Sequence, residues 1–301
     1  MRVGAVLLHY RYWPGVMPTI DALLRQSAPP LQVVVVDNDS GPEARRAIRE
    51  TFPGVQLIEN ATNKGYSAGM NTGVAALDLD DLDAILLLTH DCVLAETALE
   101  RLTARLAEAA DVGAVGPLLG WRSDPTKVFS AGGDVDTRKW VIGHRQSPVE
   151  VEAWRGRDPE IVDWLDGSCV VLSKPAREAV GELDEQYFLY YEDVDYGLRL
   201  RQAGWRVECV PAAVAWQEPG YLSEYLFTKN RLRLVSSHAP RPVVIREVVR
   251  GLAQIAKLLV LSKGSHPSRV RAGARSRGTW EFVLGLKTDP ARILRYQADE
   301  I

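Results

Sequence analysis

Leu31-Gln32-Val33-Val34-Val35-Val36-Asp37-Asn38-Asp39-Ser40-Gly41-Pro42-Glu43 sets the architecture. The apolar run from Leu31 to Val36 predicts a buried strand. It stops at a cluster of turn residues, Asp37 to Gly41. Pro42 to Thr51 then predicts a helix, with Ser40 a candidate cap. Outward from this unit the pattern repeats. Val3 to Leu8, Val55 to Glu59 and Ala84 to Leu88 read as strands, the last ending at Thr89-His90-Asp91. Pro18 to Gln26 and Ala95 to Ala110 read as helices, and Asn63 to Gly73 as a Gly/Asn-rich turn running into another. Strands alternating with helices predict an α/β fold with a mostly parallel sheet flanked by helices.

The second half is less regular. Trp121 to Asp163 reads as a loop-rich insertion or a run of short strands, and Val162 to Leu172 as a strand interrupted at Asp166-Gly167-Ser168. A run of aromatics and acids, Tyr187 to Asp195, leads into a helix over Tyr196 to Ala203, closed by Gly204. A strand over Trp205 to Val210 is expected to end at Pro211. From Tyr221 onward the pattern is helical, with breaks at Ala239-Pro240-Arg241-Pro242 and around Gly264 to Gly278.

The 301 residues are 46% hydrophobic and 25% charged, enough for one large domain and an appendage. Net charge is −3, unevenly spread: from Phe227 onward Lys and Arg number 15 against 5 Asp and Glu. Over Val243 to Lys263, Val244, Val248, Leu252, Ile255 and Leu259 recur at helical spacing among Arg246, Arg250, Lys257 and Lys263. Such a helix lies on an anionic membrane or packs on the catalytic domain or a second subunit; both readings stand, and a homodimer is compatible with the latter. Cys92, Cys169 and Cys209 have no paired spacing, which fits a reducing compartment and no metal framework. The short apolar N-terminal run reads as a strand and not a signal peptide, and no segment reaches a membrane-spanning length. A cytoplasmic protein, peripheral at most to the inner membrane face and without a nucleic-acid partner, is the expectation.

Ligands of such sheets bind outside the carboxyl ends of the strands. Asp37, Asn38, Asp39, Asn63, Asn71, His90 and Asp91 all fall there or in adjoining turns, which points to a nucleotide site, with His9 a further candidate contact, although Asp and Asn singly are ordinary turn residues. Group transfer from a nucleoside diphosphate at such a site would need a base contact, neutralisation of the diphosphate and a proton acceptor. Asp37 is placed for the first, Asp91 with a divalent cation for the second, and Glu192 and Asp193 for the third.

Through residues 34–40, 63–73, 166–173 and above all 183–205, the chain resembles the inverting family 2 glycosyltransferases of GT-A fold, nearest their rhamnosyltransferase-like branch. The resemblance is strongest over Leu183-Asp184-Glu185-Gln186-Tyr187-Phe188-Leu189-Tyr190-Tyr191-Glu192-Asp193-Val194-Asp195 and its continuation to Trp205. Thr228-Lys229-Asn230-Arg231 resembles the family's Arg-Asn motif. It implies a base contact at Asp37, a nucleotide pocket shaped by Asn63, Gly65 and Asn71, a metal acid at Asp91 and a general base at Asp193 supported by Glu192. Mg²⁺ or Mn²⁺ is the implied cofactor, with Gln217 where the family often has His. His90 is a ligand, a diphosphate contact or a strand-end filler. Asp134, His144, Arg145, Asp166 and Trp164 fall in the region that lines donor sugar or acceptor in relatives, although Trp164 and Trp216 suit a core equally. The resemblance implies a GT-A domain over 1–225, with a nucleotide half over 1–115 and an acceptor half over 116–225, followed by a helical region over 226–301. The donor is expected to be a dTDP- or UDP-sugar, rhamnose leading, and the acceptor a glycan, lipid-linked or small molecule. A sugar-nucleotide nucleotidyltransferase is disfavoured because His9-Tyr10-Arg11-Tyr12-Trp13-Pro14 replaces a Gly-rich triphosphate loop, and a non-catalytic binding protein because it needs no Glu192-Asp193 pair.

Overall fold

The computed structural model describes residues 1–218, 220, 223–261, 266–289 and 293. They form two compact units, one of residues 1–183 and 193–219, the other of 184–192 and 220–301.

In the first unit the elements run β1 (Val3–His9), α1 (Val16–Leu24), β2 (Gln32–Asn38), α2 (Pro42–Thr51), β3 (Gln56–Asn60), α3 (Gly65–Val74), β4 (Ala84–Thr89), β5 (Val93–Leu94) and α4 (Ala98–Glu108). Then come β6 (Val112–Trp121), β7 (Val128–Ser130), β8 (Gly133–Asp136), β9 (Val141–His144), β10 (Glu160–Ile161), β11 (Cys169–Ser173), α5 (Lys174–Val180), α6 (Glu192–Gln202) and β12 (Arg206–Gln217). The sheet order is β10-β12-β6-β11-β4-β1-β2-β3, with β5 and β7 attached at β12 and β6. The β3-β2-β1-β4 run is parallel, β11 is antiparallel to both neighbours, and β6 and β12 are parallel to each other.

Alternation along β1 shows why the sheet is buried on both faces. Val3, Ala5 and Leu7 join the core with Ile20, Leu23, Ile48, Leu99 and Leu102 of α1, α2 and α4. Val6 and Leu8 meet α3 through Gly69 and Gly73, where a Cβ would come within 2.5 Å of Leu8 and 2.3 Å of Val6. The two glycines, one turn apart, let the α3 backbone press onto the strand.

Three sequence expectations are corrected. Ser40 does not cap α2, whose N-cap is Gly41 without a side-chain bond; the Ser40 hydroxyl instead accepts from the Arg11 amide at 2.9 Å. Pro211 does not end its strand: β12 runs on to Gln217, absorbing the missing donor in an irregularity of register between Val210 and Val214. The break expected around Gly264 to Gly278 does not extend to Gly278, because Gly273 and Gly278 lie inside a helix, while Gly264 itself lies outside the described residues. Glycine at 278 serves contact, since a Cβ there would lie 2.7 Å from the Tyr225 carbonyl oxygen.

The second unit carries α7 (Glu224–His238), α8 (Arg241–Leu261) and α9 (His266–Val283). Phe188, Tyr225, Leu226 and Ala274 share its core. Lys229 is buried there, its ammonium 2.9 Å from Glu281 and 3.3 Å from the Tyr225 hydroxyl, which also bonds Glu281. Glu281→Ala strands that ammonium. Thermal and denaturant unfolding should show a loss of about 3–5 kcal/mol; a loss under 1 kcal/mol rules out this pairing as a major support. Lys263, named in the sequence reading of α8, lies outside the described residues.

Candidate active site

Parallel pairing brings one end of each central strand to a common edge. His9 pairs with Asp37 and Leu8 with Thr89, while Cys169, which opens β11, lies against Leu88. Residues 37–41, 89–91 and 166–168 therefore collect at that edge.

Asp37 is fully buried. Its carboxylate accepts from the Ser40 amide at 3.1 Å and from Arg45, and His9 Nδ1 stands 3.4 Å away. Burial pushes its pKa up, but His9, Ser40 and Arg45 outweigh burial and hold it below the usual carboxylate range. Asn38 is likewise spent internally: its amide donates to Asn63 and the Gly65 carbonyl, and its oxygen accepts from Asn60 and the Lys64 amide. Asn63 also takes the Gly65 amide at 2.9 Å, and Gly65 supplies the positive φ of 84° from which α3 starts. Asn71 clamps Leu183 through both its amide and its carbonyl oxygen. Asp37, Asn38 and Asn63 thus build the turns at this edge, and Asn71 ties α3 to Leu183.

His90 packs against Tyr12 at 5.0 Å and edge-on to His9 at 5.7 Å, with Nδ1 3.3 Å from the Tyr10 amide and 3.2 Å from the Leu8 carbonyl oxygen. Burial depresses its pKa, against the pull of Asp91, so the ring is neutral at pH 7. Asp91 is half-buried and accepts from the Thr89 hydroxyl at 2.6 Å. The β5–β12 ladder, with Val93 opposite Trp216, brings Gln217 to the same end as Asp91. Arg122, which no motif marked, follows β6 here: its amide donates to the Gln217 carbonyl at 3.0 Å, and its guanidinium lies 3.4 Å from the Tyr12 hydroxyl and 3.5 Å from the Asp91 carbonyl oxygen. Among the described residues no three His, Cys, Asp or Glu side chains cluster as metal ligands. The Asp91 carboxylate and the Gln217 amide offer oxygen donors, which suit a hard cation such as Mg²⁺ or Mn²⁺ better than a metal that selects thiolate or imidazole.

The third cluster surrounds Asp193, in the first turn of α6. Its carboxylate accepts from the Gly167 amide at 3.2 Å and from Val194 at 2.8 Å. Burial, then the nearby Asp166 charge, pushes it up to about 6, against the two amides and His144. His144 Nδ1 is 3.4 Å from Asp166 and 3.1 Å from the Ser130 hydroxyl. Its ring meets Trp164 edge-on at 4.8 Å. Burial disfavours the His144 cation, but Asp166 and Asp193 together raise its pKa. Apolar side chains including Leu165, Val170, Tyr196 and Leu200 line a pocket with Asp193. Trp164 is buried and so presents no open platform. Asp134 and Arg145 stand apart on the β8–β9 hairpin in a two-pronged pair at 2.6 and 2.7 Å, which commits that guanidinium. Glu192 is buried at the start of α6. In α7, Asn230 donates to the Leu189 and Tyr190 carbonyls and so holds the turn in which Tyr190 and Tyr191 take positive φ.

If Asp166 raises Asp193, Asp166→Asn should move the acidic limb of the rate–pH profile down, toward the ordinary carboxylate value. An unmoved limb excludes this coupling.

The model of the glycosyltransferase like family 2 matches residues 12–237, most of the chain. The chain is a family 2 glycosyltransferase. An N-acetylglucosaminyl-diphospho-decaprenol L-rhamnosyltransferase of Mycobacterium tuberculosis is 27% identical over 61% of this chain, and the chain spans 65% of that relative. A low-salt glycan biosynthesis hexosyltransferase of Haloferax volcanii is 24% identical over 57% of this chain and 53% of its own length. Among solved structures, the mannosyltransferase PcManGT from Pyrobaculum calidifontis, in complex with GDP-Man and Mn²⁺, has a TM-score of 0.56 at 16% identity, covering 94% of this chain and 87% of that one. GalNAc-T7 with UDP, GalNAc and Mn²⁺ has a TM-score of 0.62 at 15% identity, covering 78% and 48%. The fold of this glycosyltransferase is GT-A, as its sequence resemblance implied.

Proposed function

We propose that this glycosyltransferase moves a sugar from a dTDP- or UDP-sugar, with dTDP-rhamnose the leading donor, to an acceptor hydroxyl with inversion, in the building of a surface glycan. A lipid-linked acceptor is the favoured class. The placement of Asp193 carries the reading: a carboxylate at a helix start, held by two amides beside an apolar pocket. Asp193 takes the proton of the acceptor hydroxyl as that oxygen bonds the anomeric carbon and the bond to the diphosphate breaks. A pKa near 6 makes it a stronger base than an ordinary carboxylate and leaves it ionised at pH 7. His144 and Asp166 orient and tune it. Arg122 and the half-buried edge of His90 face the departing diphosphate. Asp91 and Gln217 would hold Mg²⁺ or Mn²⁺, which neutralises diphosphate charge when bound. Asp37 and Asn38 order the turn on which the pyrimidine rests, with direct contact to Asp37 requiring Arg45 to yield. The rhamnosyltransferase name of the M. tuberculosis relative supports the donor assignment.

Calorimetric titration with UDP, dTDP and GDP, each with and without Mg²⁺ or Mn²⁺, tests this reading. Preference for a pyrimidine diphosphate, strengthened by metal, is expected. Absence of binding by all three nucleotides, or tightest binding of GDP, overturns the donor assignment.

A further inference from the structure

Helix α8 has three distinct faces. Val244, Glu247, Val248, Gly251, Ile255 and Leu258 form the sheltered one, and α8 packs within its unit on α7 and α9. On another side Ile245, Val249, Leu252, Ala256, Leu259 and Val260 are all exposed; Ile245 is 64% and Val260 74% accessible. At 100° per residue these six fall within an arc of about 100°, running about 22 Å along the helix. Arg246, Lys257 and Arg250 occupy the adjoining arc and are exposed too. A soluble surface helix normally turns such an apolar stripe inward; here a second stripe faces out. On α9 and just beyond it, Trp280, Val283 and Leu284 are exposed as well.

We propose that the outer face of α8 is a docking surface for an anionic lipid bilayer. An apolar stripe edged by cations matches an interfacial helix, which sinks its apolar side to the acyl boundary and leaves its cations among the headgroups. No described helix is long and apolar enough to cross a membrane, so the contact is parallel to the surface. Charge complementarity selects lipid over the same face of a second copy of the chain. The single acid of α8, Glu247, has a buried side chain met by Arg231, Arg246 and Arg250. A second copy would bring a further basic row and no exposed α8 acid to meet the first.

The experiment is flotation of the full chain with vesicles of neutral phosphatidylcholine alone or with one-third anionic phosphatidylglycerol. Binding is expected to the anionic vesicles and to weaken with salt. Leu252→Ser with Leu259→Ser should reduce it at least tenfold. Arg246→Gln, Arg250→Gln and Lys257→Gln should each reduce it roughly fivefold. All are surface changes, and circular dichroism confirms folding. Failure of the wild-type chain to bind anionic vesicles at low salt overturns the proposal. So does equal binding by every variant, or a wild-type dimer that the Leu252/Leu259 variant splits, which would assign the stripe to a second copy. The proposal does not rest on the donor assignment: the nucleotide titrations should be unchanged in these variants.

Discussion

Asp193→Asn lowers kcat by about 10³-fold and leaves nucleotide affinity within a few-fold. The size follows from the role: general base catalysis contributes roughly 10²–10⁴, and the amide cannot take a proton. The isostere keeps an oxygen for the Gly167 or Val194 amide, so the turn survives. In the wild-type enzyme kcat/KM should rise with pH through about 6 and then level, because the ionised carboxylate is the active form. Stability runs the other way. A carboxyl raised from 3.8 to about 6 by folding binds its proton more tightly in the native state, so its favourable contribution is complete below pH 4 and is lost as pH rises through 6. Removing that charge should make Asp193→Asn more stable than wild type at pH 8 by roughly 2–3 kcal/mol. A variant that is inactive and also less stable at pH 8 points to a structural role. Retained turnover removes Asp193 from the base role.

The parallel half of the fold was legible because its strands are buried on both faces and read as continuous apolar runs, Leu31 to Val36 the plainest. Pro211 is a stop signal in local chemistry, so the sequence predicts β12 too short, and only the pairing with β6 shows the irregularity that accommodates it. The same limit applies to the site. Glu192-Asp193 stood out as acids after an aromatic run, whereas their neighbours come from far along the chain. Asp166 and His144 meet only because β11 starts at the edge where the β8–β9 hairpin returns. Arg122 follows a strand end in an aperiodic stretch with no motif, so only the register of β6 against β12 reveals it beside Asp91. Asp37 shows the converse. Its position was legible, but its engagement with Arg45, eight residues on, required the helix packing to be known.

The second large effect is expected at the diphosphate end. Asp91→Asn should lower kcat by roughly 10²–10³-fold, and chelation of the wild-type enzyme should do the same until Mg²⁺ or Mn²⁺ is restored. In the proposed reaction two cationic groups are candidates for this role, and their charges are expected to decide between them. A divalent ion on Asp91 presents twice the charge of the Arg122 guanidinium, and at equal distance and dielectric the Coulomb term scales with that charge. Arg122 is also partly committed to the Tyr12 hydroxyl and the Asp91 carbonyl oxygen. Arg122→Gln should therefore cost less, about tenfold, and mostly in KM for the donor. The donor set is thin, one carboxylate and the Gln217 amide, so affinity for the ion should be weak without nucleotide and rise when a diphosphate supplies further oxygens. Full activity in chelator, with Asp91→Asn active and Arg122→Gln reduced a thousandfold, would reverse the assignment and make the guanidinium the principal counter-charge.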